Sequence, residues 1–165
     1  MYSKPLPDLL ASRTSYVQTA WQYALRLRDA LDRLLNHLQP VAALLARLYV
    51  AQVFFSSGLT KLRDWDTTVA LFTDEYKVPL LSPALAAVMG TGGELALPVL
   101  LVLGLGGRIP ALGLCVVNAV AVVSLSEIAP AALQQHITWG VLLAGLAVFG
   151  SGRWAIDRWL QAKLR

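Results

Sequence analysis

Four apolar segments after residue 40 constrain this chain more than any other feature. They cover about residues 41–62, 83–103, 109–125 and 133–149. A helix of roughly 20 apolar residues crosses a bilayer core of about 30 Å. Inside hydrocarbon every backbone N–H and C=O group needs a partner within its own segment, which favours helices. Because short links join the segments, the sequence predicts an all-α protein built on a transmembrane four-helix bundle.

The composition agrees with a chain whose main partner is a lipid bilayer. Hydrophobic residues make up 56% of the 165 residues and charged residues 15%, against about 25% charged in a soluble domain. The net charge is +4, but the basic residues flank the apolar segments and form no single patch, so nucleic-acid binding is not expected. The single cysteine, Cys115, lacks a disulfide partner in the chain and is interpreted as a packing residue.

Residues 1–40 are interpreted as a separate unit. Between residues 8 and 38, apolar and polar side chains recur on different faces of a helix. Such a helix is too polar to span a bilayer and suits the cytoplasmic membrane surface, where its arginines lie near anionic head groups. Pro40 is expected to end this amphipathic interfacial helix before the first span. A helix that binds a protein partner has the same pattern and is the alternative.

The Lys and Arg residues predict the orientation of the spans. Four spans place both termini on one side of the membrane. That side, which includes Arg108, carries ten Lys and Arg residues, whereas the opposite loops carry Lys61, Arg63 and Lys77. The positive-inside rule therefore predicts a multi-pass protein of the inner (plasma) membrane with both termini in the cytoplasm.

Polar side chains within the spans are the first candidates for a site. Helix rise places Arg47 roughly 9 Å from the cytoplasmic end of its span, and Gln52, Glu94 and Asn118 at roughly 14–16 Å. We therefore expect Arg47 to pair with Glu94 in a shared polar layer, because an unpaired charge at that depth is costly. The layer either binds a small molecule, with Glu94 as the titrating group, or fixes helix register.

A second group of polar residues is expected at the outer surface. It comprises Lys61, Trp65, Glu127 and His136. These residues form either an interfacial belt or the mouth of a pocket where His136 and Glu127 exchange protons with a ligand. Glu94 and His136 are thus the catalytic candidates, and the other named polar residues are ligand-binding candidates. The residue spacing predicts no metal site, and no motif for a nucleotide, a serine nucleophile or zinc is present.

Several motifs resemble the DoxX family of small four-helix membrane proteins. They are GLTKLRDWD at 58–66, GGE at 92–94, LLVLGLGGR at 100–108 and HITWGVLLAGLAVFGSGRWAIDRWL at 136–160. The resemblance covers about residues 41–160, which we interpret as a DoxX-like domain. It implies that recurring family positions fall on Arg47, Gly58, Lys61, Glu94, Arg108 and Asp157.

The resemblance also implies a functional class. Some DoxX-like proteins resemble the small membrane subunit of a thiosulfate:quinone oxidoreductase, and others are implicated in oxidoreductase assemblies that handle thiols. We therefore expect a small subunit or accessory of a membrane-associated oxidoreductase, linked to quinone or to thiol and sulfur compounds. It would have no intrinsic cofactor, would use quinone, and would receive electrons from a membrane or soluble partner protein.

The alternative is a non-enzymatic membrane scaffold or a small permease, in which the polar layer is structural. Whether the chain is an enzyme, and whether it associates with further copies of itself, stays open at this point.

Overall fold

The computed structural model describes residues 6–150, 152 and 154–163, with side chains described from residue 18 onward except 158 and 161. Within these residues the chain forms six helices. They are α1 Leu6–Arg63, α2 Trp65–Asp74, α3 Pro83–Leu103, α4 Ile109–Ser124, α5 Pro130–Phe149 and α6 Ile156–Lys163. The same residues contain no strand, only an isolated antiparallel bridge between Tyr76 and Leu125. The prediction of an all-α protein is confirmed.

The chain divides into two compact units, residues 1–39 and residues 40–165. In the first unit the side chains of residues 18–39 are all exposed, apolar and polar alike. The predicted amphipathic faces of residues 8–17 and the basic side chains of Arg153, Arg158 and Arg165 lie outside the described side chains.

The prediction that Pro40 ends the first helix is wrong, because Pro40 lies inside α1. Proline removes one backbone hydrogen bond and crowds the preceding turn. Neighbouring groups and small local adjustments often compensate for that loss in membrane helices. The flanking sequences NHLQ and VAALLA contain no glycine or further proline, so helix continues on both sides.

Within the described part of the chain, three helical segments are long and apolar enough to cross a membrane, namely Gln18–Arg63, Pro83–Leu103 and Pro130–Phe149. The third predicted span corresponds to α4, an apolar helix of 16 residues. The fourth predicted span begins at residue 133, whereas α5 already starts at Pro130, since proline is well suited to a first helical turn. The predicted polar segment after the first span contains the short helix α2.

One hydrophobic core receives side chains from α1, α3, α4 and α5. Its buried members include Phe54 of α1, Leu101 of α3, Leu114 of α4 and Leu143 of α5. α4 packs against both α3 and α5. A smaller cluster around Phe72 holds α2 against the first half of α3. The shape of this second unit therefore comes from apolar contacts among helices, and the polar groups lie between them.

The link from α3 to α4 is a tight turn that also holds α6. Gly104 ends α3 in the left-handed conformation, with φ of 68°, as is usual for a glycine cap. The Gly107 N–H donates to Asp157 Oδ2 at 2.6 Å, and the Asp157 N–H donates to the Gly104 carbonyl at 3.4 Å. The start of α6 is thereby fixed on the turn.

Gly104→Ala is expected to destabilise the protein by about 1–3 kcal/mol, from the positive φ alone. In addition, a Cβ atom at Gly104 would lie 2.6 Å from Ala155 Cβ and 3.0 Å from Arg47 Nη1. Thermal unfolding in detergent measures the effect.

Gly145→Ala in α5 is the matched control, because a Cβ atom there has nothing within 4 Å. An alanine in a helix interior is favoured over glycine, so this variant should be as stable as the wild type or more stable. Equal losses in both variants would contradict the role given to the turn.

Candidate functional site

The ion pair between Lys61 and Glu94 is the main polar contact between α1 and α3. Lys61 Nζ donates to Glu94 Oε1 at 2.8 Å and to Oε2 at 2.6 Å. It also donates to Ser57 Oγ at 2.9 Å. The Lys61 and Glu94 side chains are only 21% and 10% exposed. The Lys61 ammonium group therefore has three acceptors, two of which belong to one carboxylate.

A glycine allows this contact to form. Gly58 precedes Lys61 by three residues, so both lie on one face of α1. A Cβ atom on Gly58 would lie 2.9 Å from Leu95 Cγ and 3.2 Å from Glu94 Cβ. A glycine is thus required for α1 to approach α3 this closely. Because the two helices lie this close, the Lys61 side chain on α1 reaches the Glu94 carboxylate on α3.

The predicted pair between Arg47 and Glu94 is wrong, because Glu94 binds Lys61. Arg47 Nη1 instead lies 3.0 Å from the position that a Cβ atom of Gly104 would occupy. Arg47 is therefore level with the end of α3, two to three turns from Glu94. The sequence prediction had instead placed Val41, the first residue of its span, level with the end of α3. Arg47 lies six residues after Val41, so the predicted level of α1 was wrong by about 1.7 turns. The apolar pattern of a span does not resolve a shift of this size.

Arg47 is nevertheless deeply buried. Its side chain is 1% exposed, and its Nε and Nη1 atoms have no hydrogen-bond partner among the described residues. The carbonyl end of a helix carries partial negative charge, which favours a nearby cation. Arg47 thus lies beside the carbonyl end of α3, where its charge is favoured, although no described group accepts from its Nε or Nη1.

A cavity of about 350 Å³ lies beside the Lys61–Glu94 pair. Its lining is mostly apolar and includes Met89, Val117 and Val120, whereas its polar residues are Lys61, Tyr76, Glu94 and Ser124.

Tyr76, in the loop after α2, is a polar group that sequence reasoning missed. Burial, followed by the negative charges of Glu75 and Glu94, raises the pKa of its phenol. The backbone beside it is held in place, since the Lys77 N–H donates to the Ser124 carbonyl at 2.9 Å. The spacing Gly58-x-x-Lys61 was a usable signal for the ion pair, but no pattern in the sequence indicated that Tyr76 lies at the cavity.

Asn118 and His136 form a separate pair between α4 and α5. Asn118 Nδ2 donates to the His136 carbonyl at 2.9 Å, so Asn118 Oδ1 faces the ring and accepts from His136 Nδ1 at 2.8 Å. The neutral ring therefore carries its proton on Nδ1. The His136 ring also packs edge-on against Trp139, with centroids 4.9 Å apart.

The remaining candidates lie apart from these contacts. Gln52 is exposed and lines a different, apolar groove beside Pro98 and Val99. Trp65 begins α2 and is 36% exposed, and Glu127 is exposed. The predicted layer of Arg47, Gln52, Glu94 and Asn118 is thus not one cluster. Of the predicted ligand-binding residues, Lys61 is the one that contacts Glu94.

The fold and these contacts define a membrane protein of packed apolar helices with a few paired polar groups between them. A sequence model of the DoxX family matches residues 42–127, just over half of the chain. The protein belongs to the DoxX family. Lys61, Glu94 and Tyr76 lie within the matched residues, whereas His136 and α6 lie outside them. No curated protein and no solved structure shows a significant match.

Removing one partner of the ion pair is expected to cost about 3–5 kcal/mol, because the other charge stays buried without compensation. Lys61→Met and Glu94→Leu should each lower the free energy of unfolding by this amount. The double variant should lie near the wild type, since no charge remains. Unfolding in detergent measures all three, with Lys77→Met, at an exposed position, as the control. Additive losses in the double variant would contradict the pair.

Asp64 caps α2 and predicts a pH dependence. Its carboxylate accepts from the Thr67 N–H at 3.0 Å and from Thr67 Oγ1 at 2.7 Å, and these bonds lower its pKa. The stabilisation is present above the unfolded pKa of about 3.9 and is lost as pH falls through the lower folded pKa. Asp64→Ala should therefore speed amide exchange in α2 at pH 7.

The difference in exchange between Asp64→Ala and the wild type should shrink at pH values below the folded pKa. Asp74→Ala, at the other end of α2, is the control and should not speed exchange at either pH. A difference that persists in acid would contradict the assigned carboxylate role.

Proposed function

We propose that this DoxX protein binds a neutral, quinone-type molecule in the cavity beside Lys61 and Glu94. It would do so as a small membrane subunit or accessory of an oxidoreductase. The observation that carries this proposal is an apolar cavity with an ion pair and a phenol in its wall. A volume of about 350 Å³ falls within the range of roughly 300–1,000 Å³ found for small-molecule pockets.

The lining matches the chemistry of a quinone head group. Apolar side chains can pack on the ring, and the Tyr76 hydroxyl can donate to a carbonyl oxygen. Glu94 can pass a proton between the ligand and the water outside. Reduction of a quinone to a quinol takes up two electrons and two protons. The electrons would come from a flavin, haem or iron–sulfur centre of a partner protein, and the protons from water through Glu94 and Tyr76.

The charge balance favours a neutral ligand over a sulfur anion. Glu94 neutralises Lys61, and the Lys61 ammonium group already contacts three acceptor atoms. The lining of the cavity therefore offers no spare positive charge to thiosulfate or sulfite. Arg47, the more deeply buried cation, is absent from the described lining. Quinone is thus supported better than the sulfur-linked alternative.

The proposal includes the arrangement in the membrane. The apolar part of α1 after Pro40 would cross together with α3, α4 and α5 as a four-helix bundle in the inner membrane. The shared core of these four helices supports this arrangement. The Lys and Arg distribution supports cytoplasmic termini. At 1.5 Å per residue α4 extends about 24 Å, about 6 Å less than the hydrocarbon core, and a bilayer can thin locally around a helix of this length.

A scaffold without ligand is the second candidate. The close approach at Gly58 and the use of both Glu94 oxygens by Lys61 are what a purely structural tie between α1 and α3 would show. Under this reading the cavity would bind no quinone, and the protein would hold an enzyme partner at the membrane. A permease would instead take up its substrate into vesicles without any partner.

Filling the cavity tests the proposal. Val120→Phe places a larger side chain in the lining, and Tyr76→Phe removes the hydroxyl donor. Binding of a short-chain ubiquinone to the purified protein in detergent, measured by titration calorimetry, should weaken about tenfold or more in each variant. A factor of ten corresponds to about 1.4 kcal/mol, the size of one good hydrogen bond.

Val141→Phe is the matched control, because Val141 of α5 is 68% exposed and absent from the described lining. Its affinity should equal that of the wild type. Unchanged binding in the cavity variants, or an absence of binding by the wild type, would favour the scaffold.

A further inference from the structure

A seven-residue repeat runs through the part of α1 that precedes Pro40. Labelling Val17 as position a of a heptad makes all seven a and d positions from 17 to 38 apolar. The a positions are Val17, Ala24, Leu31 and Leu38, and the d positions are Ala20, Leu27 and Leu34. The outward b, c and f positions between 18 and 39 contain one apolar residue, Leu25. Strict a/d spacing over three heptads is the pattern of a coiled coil.

The apolar seam is uncovered in the single chain. Leu27 is 73% exposed, Leu31 52%, Leu34 56% and Leu38 50%. Large aromatic side chains at flanking positions widen the apolar surface, since Trp21 and Tyr23 are each 66% exposed. An exposed apolar stripe of this length marks an interaction surface.

We propose that residues 17–38 form a parallel coiled coil with the same segment of a second copy of this chain. Two copies that enter one membrane in the same orientation through residues 41–62 have parallel preceding segments. Each heptad then faces its own counterpart, so leucine meets leucine along the whole seam. The proposal is independent of the proposed quinone site.

The charges fit a second copy. All five charged residues between 18 and 39 lie outside positions a and d, and only Arg28 flanks the seam, at position e. In a parallel pair, an e residue faces the g residue of the preceding heptad on the other helix, which for Arg28 is Tyr23; the other g residues are Ala30 and His37. Arg28 therefore meets no like charge, and it is already close to Asp32 of its own helix at 3.7 Å. No repulsion opposes the pairing.

The period also favours this partner over a lipid surface. A helix lying in the interface has an apolar arc that follows 3.6 residues per turn. A repeat of seven drifts from that arc by about 20° per heptad, about 60° over residues 17–38, so a supercoiled partner follows the seam more closely than a flat surface does. The interfacial location expected from the amphipathic pattern is thus the competing outcome of the test.

Disulfide trapping in the full-length protein tests the proposal. In a Cys115→Ser background, Leu31→Cys and Leu34→Cys place a thiol in the seam, and Asp29→Cys and Asn36→Cys place one at outward f positions. After copper–phenanthroline oxidation in native membranes, the seam variants should form a covalent dimer and the f variants should not. Similar crosslinking at all four positions, or none in the seam, would overturn the proposal.

A second measurement does not depend on added cysteines. Leu31→Lys with Leu34→Lys should convert a dimer to a monomer by light scattering in detergent, whereas Asp29→Lys with Asn36→Lys should leave the dimer intact. Thermal unfolding of residues 40–165 should be the same in both full-length variants. Tryptophan fluorescence follows it, since four of the five tryptophans lie in that part of the chain. A wild-type protein that is monomeric by light scattering would overturn the coiled coil, and protection of the Leu31→Cys and Leu34→Cys thiols by lipid from a soluble maleimide would then place the segment on the membrane surface.

Discussion

An ionised side chain inside a bilayer is stable only when another group takes over the role of water. In this protein Lys61 and Glu94 do this for each other, with both carboxylate oxygens and Ser57 accepting from one ammonium group. The pair links α1 to α3 and sets their relative level. It also gives the adjoining cavity a polar wall that is neutral as a whole. The proposed preference for an uncharged ligand follows from this charge balance.

Backbone choices support that pair from both helices. Gly58 lets α1 come close enough for a lysine to reach across. On α3, Pro98 follows Glu94 by four residues and lacks the N–H that would bond the Glu94 carbonyl within the helix. The segment around Glu94 therefore has a weaker backbone ladder than the rest of α3. Packing against α1 and α4 keeps this segment of α3 helical.

Hydropathy and segment length were enough to predict α3 and α4, because an apolar segment in lipid satisfies its backbone N–H and C=O groups within a helix. The helix α3 has the bounds expected for the second span, and α4 begins where the third span was expected and ends one residue earlier. The side-chain partners were another matter. Rise per residue gives a distance from the predicted end of each span, and those ends were misplaced along α1. Arg47 was therefore predicted to pair with Glu94, although the partner of Glu94 is Lys61.

Rotational position was the other missing quantity. Asn118 and Glu94 lie at similar predicted depths, yet Asn118 faces α5 and binds His136. A sequence without its packing partners does not say which neighbour a buried face will meet. Tyr76 shows the same limit for loops, since the neighbouring Lys77 N–H donates to the carbonyl of Ser124, at the end of another helix.

The contact between Gly104 and Ala155 couples three positions that are far apart in the chain. The space where a Cβ atom of Gly104 would lie is bordered by Ala155 and by the Arg47 guanidinium. A side chain at position 104 would fit only if residues 47 and 155 both moved away or became smaller. A larger residue at position 155 would likewise crowd this space and favour a smaller side chain at position 47. Evolutionary changes at residues 47, 104 and 155 are therefore expected to be correlated.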